Sequence, residues 1–96
     1  FPVKLHQMLH ECSDEIASFA PDGRSFCIRN KERLVNEVLP KYFHQNKFAS
    51  FTRQLNVYGF RRMTGNSFQH ELFLRDHPEY LEFIRRVGVK RGEQVM

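Results

Sequence analysis

Phe48, Phe51, Leu55 and Tyr58 recur at helical spacing between the polar run His44-Gln45-Asn46-Lys47 and Gly59. This arrangement constrains the fold more than any other feature of the chain. At about 100° per residue, with Phe48 set at zero, the four side chains cluster near roughly 325° on one side of a helix. The polar run supplies a turn. Gly59 supplies a stop, because glycine accepts the left-handed conformation that closes a helix. The spacing therefore predicts a helix over 48–58 with a buried aromatic stripe. Arg53 falls at about 140°, almost opposite that stripe, among Ala49, Ser50, Asn56 and Val57. All four neighbours are short, so the backbone can approach a surface closely while one long side chain projects.

The flanking segments give this helix its context. Val3, Leu5, Met8 and Leu9 after Pro2 predict a first helix ending near Cys12 and Ser13. Ile16–Ala20 and Ser25–Arg29 flank Pro21-Asp22-Gly23 and read as a hairpin with Phe26 and Ile28 on its buried face. Asn30 is a good N-cap for a helix over 31–39 that carries Leu34, Val35, Val38 and Leu39, and Pro40 is expected to end or kink it. Phe60–Met63 and Phe68–Glu71 read as strands joined by the short turn Thr64-Gly65-Asn66. A last short helix is expected over 78–87, followed by a basic tail. The order predicts an α+β fold: a winged helix-turn-helix with a three-helix core, a small antiparallel β-sheet and a short wing.

The 96 residues fit one domain, 1–96, with a linker-like tail from about residue 85. Ten Phe and no Trp imply a core built on phenylalanine. The net charge is +4, and its distribution matters more than its size. No acid occurs between Glu37 and Glu71, a gap that holds Lys41, Lys47, Arg53, Arg61 and Arg62. A surface cleared of carboxylates suits a polyanion, since one misplaced acid repels a nearby phosphate. No apolar run approaches the ~20 residues of a membrane span, so no membrane partner is expected. The opening Phe1-Pro2-Val3-Lys4-Leu5 has no initiator Met, as expected of an excised domain, and no signal-peptide pattern. Two Cys, Cys12 and Cys27, suit a reducing compartment.

Other chemistries find little support. His6 and His10 are four apart, but a third metal ligand with sensible spacing is missing, so solvated helix histidines are expected and no metal site. Cys12 is expected to be a partly buried filler. The Ser, His and Asp residues fall in no nucleophile motif and no glycine-rich phosphate loop exists. Neither catalytic residues, an enzyme activity nor a cofactor is therefore expected. Arg85, Arg86, Lys90 and Arg91 read as a solvated linker, with a nuclear-import signal or a phosphate clamp as alternatives.

Leu39-Pro40-Lys41-Tyr42-Phe43, followed by the run from Phe48 through Arg62 (Phe48-Ala49-Ser50-Phe51-Thr52-Arg53-Gln54-Leu55-Asn56-Val57-Tyr58-Gly59-Phe60-Arg61-Arg62), closely resembles the DNA-binding domain of the heat shock transcription factors. Phe1-Pro2-Val3-Lys4-Leu5, Ser25-Phe26 and Phe73-Leu74-Arg75 extend the resemblance over nearly the whole chain. The resemblance implies a nuclear regulator, with shuttling from the cytoplasm. It further implies double-stranded DNA with inverted nGAAn repeats as partner, and a homotrimer formed through a coiled coil outside this fragment. By position it implies that Arg53 reads guanine and that Ser50, Gln54, Asn56, Tyr58, Arg61 and Arg62 hold or lie near the DNA backbone. Lys41 and Lys47 join that backbone set from the acid-free segment. Val57 is expected to face the groove beside Arg53 and to touch a thymine methyl. The chain departs from the family at His44, where many members have lysine, and in its wing, which is much shorter than in animal members. The expected function is sequence-specific DNA binding through the third helix. The alternative is a winged-helix module that docks acidic proteins or lipid headgroups on its basic surface.

Overall fold

Asn30 starts the second helical region as its side chain requires. Its Oδ1 accepts a hydrogen bond from the Arg33 backbone N–H at 3.0 Å and so caps the first turn. The computed structural model describes residues 1–87. Within them α1 (Pro2–Glu11) leads into the hairpin of β1 (Ala17–Phe19) and β2 (Ser25–Ile28). The helical region that follows comprises α2 (Lys31–Arg33), a π-helical segment (Leu34–Val38) and α3 (Leu39–Phe43). Then come α4 (Phe48–Val57), the hairpin of β3 (Arg61–Arg62) and β4 (Ser67–Gln69), and a 3-10 helix (Pro78–Phe83). The strands form one antiparallel sheet in the order β1-β2-β4-β3. Winged helix-turn-helix is therefore the observed architecture. Lys90 and Arg91 of the expected tail lie outside the described residues.

Pro40 does not end the helix. It lacks the N–H that would bond back four residues, and its ring would collide with the preceding turn of an α-helix. The π segment resolves both problems. It widens the turn ahead of the proline, and the Leu39 N–H reaches back five residues to the Leu34 carbonyl. The helix then runs on to Phe43 and stops at His44, whose φ of 55° is left-handed. One helical region is thereby extended by a turn, which brings Tyr42 and Phe43 onto α1.

Two groups of aromatic rings fill the interior. On the sheet side Phe26 and Phe68 are register partners, with ring centroids 5.6 Å apart, and Phe60 and Phe73 meet at 5.1 Å. On the helix side Phe51 is fully buried and contacts Phe1, Phe43 and Phe48 at 6.1–6.3 Å. Leu5, Met8, Leu34, Leu39 and Leu55 close the space between them. Tyr42 donates a hydrogen bond to Glu11 Oε1 and ties α3 to α1.

Two local expectations need correction. Residues 78–83 form a 3-10 helix because the buried pair, Leu81 and Ile84, is three apart and matches three residues per turn. At Ile84 the backbone becomes extended, residues 84–87 are not helical, and Val87 is exposed. His6 is not a solvated helix histidine. It is 7% exposed, its Nε2 lies 2.9 Å from the Leu74 carbonyl oxygen, and its ring meets Phe73 edge-on. Cys12 is partly buried as expected, with its thiol pointing to the Ala17 carbonyl.

Phe51→Ala should destabilise the domain by about 3–5 kcal/mol in urea unfolding, since the ring removed is wholly enclosed. A second expectation concerns Tyr42. Its hydrogen bond to Glu11, helped by burial, pushes the phenol pKa up to about 12, and the same bond lowers the Glu11 carboxyl. A raised folded pKa means that the bond's contribution is complete below the phenol's ordinary value of 10.0 and fades as pH rises through about 12. At the acid end the contribution is present above the usual carboxylate range and fades as pH falls through the lowered Glu11 value. Ultraviolet titration should show one tyrosine ionising near 12, a component that Tyr42→Phe abolishes.

Candidate nucleic-acid interface

The rotation of α4 follows from its buried residues. Phe51 and Leu55 are enclosed, while Phe48 and Tyr58 are half-buried at its two ends. Tyr58 stacks on Phe1 with centroids 5.3 Å apart. Ala49, Arg53 and Asn56 face solvent, and Ser50, Thr52 and Gln54 are partly covered. Arg53 has no ion-pair partner among the described residues.

Val57 does not face a groove. It is 8% exposed. The segment after the 3-10 helix returns to the end of α4, where the Val87 N–H donates to the Val57 carbonyl at 2.7 Å. The open face of α4 is thus centred on Ala49, Arg53 and Asn56, rotated by roughly 40° from the direction inferred from the apolar stripe alone. Helical geometry fixes which residues share a side, but not what distant chain covers one edge of it.

The end of α4 is built by hydrogen bonds. The Gly59 N–H donates to the Asn56 carbonyl at 3.0 Å and the Phe60 N–H to the Leu55 carbonyl at 2.9 Å. This is the paired pattern of a Schellman motif, with Gly59 at φ 83°. It turns the chain directly into β3, where Arg61 and Arg62 are exposed. Arg61 donates to Gln69 Oε1, while Arg62 donates from Nε to the Gly65 carbonyl at 3.1 Å and from Nη2 to Asn66 Oδ1. The Arg62 guanidinium also lies 5.5 Å from the Phe68 ring centroid. The wing is short, as the sequence indicates, and is closed by the Met63 N–H to Ser67 carbonyl bond at 2.7 Å.

The expected site residues divide among several concavities. Arg53, Asn56 and Arg62 line one of about 310 Å3, with Ala49, Thr52 and the rims of Phe60 and Phe68. Gln54 and Tyr58 line another of about 320 Å3, where Lys4, His44 and Arg86 also converge. Lys4 is absent from the residues expected from sequence, and Arg86 enters there only within the linker-like tail, with a phosphate clamp as one alternative. They sit at opposite ends of the described chain, so no local pattern links them. Gln45 Oε1 is buried in the same region without a hydrogen-bond partner. Arg61 faces a third concavity beside His70 and Glu71. Burial there lowers the His70 pKa, which outweighs the opposing pull of Glu71 and favours the neutral ring. Lys41 and Lys47 are exposed, with Lys47 beside Phe48 at the start of α4.

Comparison with known proteins gives this geometry its family. Residues 1–87 match the model of HSF-type DNA-binding domains. The chain belongs to the HSF-type DNA-binding family. It is 38% identical over 90% of its length to the heat shock transcription factor of Saccharomyces cerevisiae, and 39% identical over 99% to heat shock factor protein 3 of Gallus gallus. It spans 12% and 24% of those two relatives. Among solved structures it is similar to Chaetomium thermophilum Skn7 with SSRE DNA, at a TM-score of 0.86 and 35% identity, covering 91% of this chain and 98% of that one. A heat shock transcription factor/DNA complex matches at a TM-score of 0.62 and 41% identity, covering 71% and 89%.

Gly59→Ala should cost about 1–2 kcal/mol in urea unfolding, because a Cβ penalises the left-handed backbone. A Cβ built there meets Val87 only at an ordinary 3.6 Å, so the cost is conformational rather than a collision.

Proposed function

We propose that this domain inserts α4 into the major groove of double-stranded DNA and reads one guanine through Arg53. The observation that carries the reading is Arg53 itself. It is an exposed guanidinium without an ion pair among the described residues, between Ala49 and Asn56, on a helix of an HSF-type DNA-binding domain. Guanidinium matches guanine O6 and N7 with two parallel hydrogen bonds, and short neighbours let the helix enter a groove about 12 Å wide. Lys41, Lys47, Ser50, Gln54, Asn56, Tyr58, Arg61 and Arg62 form the proposed backbone set, to which Lys4 and Arg86 are added on their position beside Tyr58. Val57 is not retained as a base contact because it is covered.

The element read is proposed to be an array of inverted nGAAn units. Skn7 was solved with SSRE DNA and with HSE DNA, so a duplex of each kind belongs in the test. The whole protein is proposed to act in the nucleus as a trimer joined by a coiled coil outside these residues, with shuttling from the cytoplasm. The domain is proposed to do this without catalysis or cofactor. No helix among the described residues is long and apolar enough to cross a membrane.

Fluorescence anisotropy at one salt concentration tests the base contact. Arg53→Ala should lose about 1–3 kcal/mol on the cognate duplex and much less on a scrambled one. Arg53→Lys should recover charge but only part of the discrimination, since an ammonium lacks the two-pronged geometry. Equal losses on both duplexes would make Arg53 a phosphate contact, and no loss on either would favour the docking module. Repeating the titration across salt concentrations should give a log–log slope of roughly −4 to −5, as four to six cations displace counterions.

A further inference from the structure

The hairpin after α4 holds a second guanidinium in the concavity of Arg53, and the two are treated differently by the fold. Arg62 is fastened on three sides, by the Gly65 carbonyl, by Asn66 Oδ1 and by the face of Phe68. Arg53 lines the same concavity and is paired with no acid among the described residues. The other lining residues are Ala49, Thr52, Leu55, Asn56, Phe60 and Phe68, none of them charged. An arginine beside such a wall would ordinarily fold back onto carbonyls and an aromatic face. Here those partners are already taken by a like charge, which repels a second guanidinium.

We propose that Arg62 is a positioning residue that occupies the wing-side partners and so keeps Arg53 extended for base reading. The short wing then has a role without touching DNA: its turn supplies Gly65 and Asn66, which hold Arg62 in place. Gly65 has a φ of 63°, and the turn is held by the Ser67 N–H to Thr64 carbonyl bond, by the Ile28 N–H to Asn66 carbonyl bond and by the Arg62 fork. An Arg53 without internal partners among the described residues has none to give up on meeting guanine. This inference rests on the DNA-reading assignment of Arg53, and it adds a duty for Arg62 beyond a phosphate contact.

The test compares wild type, Arg62→Ala, Arg62→Lys and Asn66→Ala by anisotropy on an inverted nGAAn duplex and a scrambled duplex, with melting curves to establish folding. Asn66→Ala removes one fastening and leaves both guanidiniums, so phosphate neutralisation is unchanged. Arg62→Ala should lower the cognate-to-scrambled ratio by about threefold to tenfold, part of what one two-pronged base contact contributes. Arg62→Lys should recover some of the ratio through its charge. Asn66→Ala should lower the ratio less, in the same direction, with an unchanged salt slope. If Arg62→Ala weakens both duplexes equally and Asn66→Ala changes nothing, Arg62 is only a phosphate contact and the inference falls. If Arg62→Ala fails to fold, Asn66→Ala decides alone: a lower ratio supports the inference and an unchanged ratio overturns it. A wild-type domain that binds both duplexes alike would overturn the DNA reading itself, and this inference with it.

Discussion

Burial of the Phe51 ring is the contact on which the rest of the arrangement depends. It lies where α1, α3 and α4 converge, against Phe1, Phe43 and Phe48. A ring enclosed on every side admits few orientations, because interiors are packed as densely as organic crystals. Fixing Phe51 therefore fixes the rotation of α4 about its own axis. Leu55, one turn further on, repeats the constraint. With two buried anchors on one side, Arg53 has nowhere to point but outward. The polar surface is a consequence of the apolar one.

The same logic explains what was legible in the sequence. The stripe of Phe48, Phe51, Leu55 and Tyr58 gave the helix and its outward Arg53 directly, since period and burial are local properties. Asn30, Gly59 and the Thr64-Gly65-Asn66 turn were legible because capping and positive φ depend on one or two residues. The acid-free stretch from 38 to 70 marked the charged surface and supplied Lys41 and Lys47, while the other expected backbone contacts came from family resemblance.

Most of what was not legible depends on distant chain. Pro40 reads as ending or kinking the helix until the π segment before it is seen, and that wider turn leaves no separate signature in the periodicity of Leu34, Val35, Val38 and Leu39. Val57 reads as a groove-facing residue until the segment ending at Val87 is found beside it. His6 reads as solvated until Leu74 supplies a carbonyl 68 residues away in sequence. Lys4 and Arg86 meet near Tyr58 only because α1 and the segment after the 3-10 helix converge there. Apart from Pro40, each miss arises from a tertiary neighbour absent from any local window.

The bond between the Val87 N–H and the Val57 carbonyl has a mechanical consequence. Val87 is the last described residue, so the C-terminal end of the described chain is fastened to the last turn of α4. A pull or twist arriving along the downstream chain is delivered there first, before it reaches the aromatic interior. The Phe51 anchor sits near the middle of α4 and this bond at its end, which makes the helix a short lever with its fulcrum in the core.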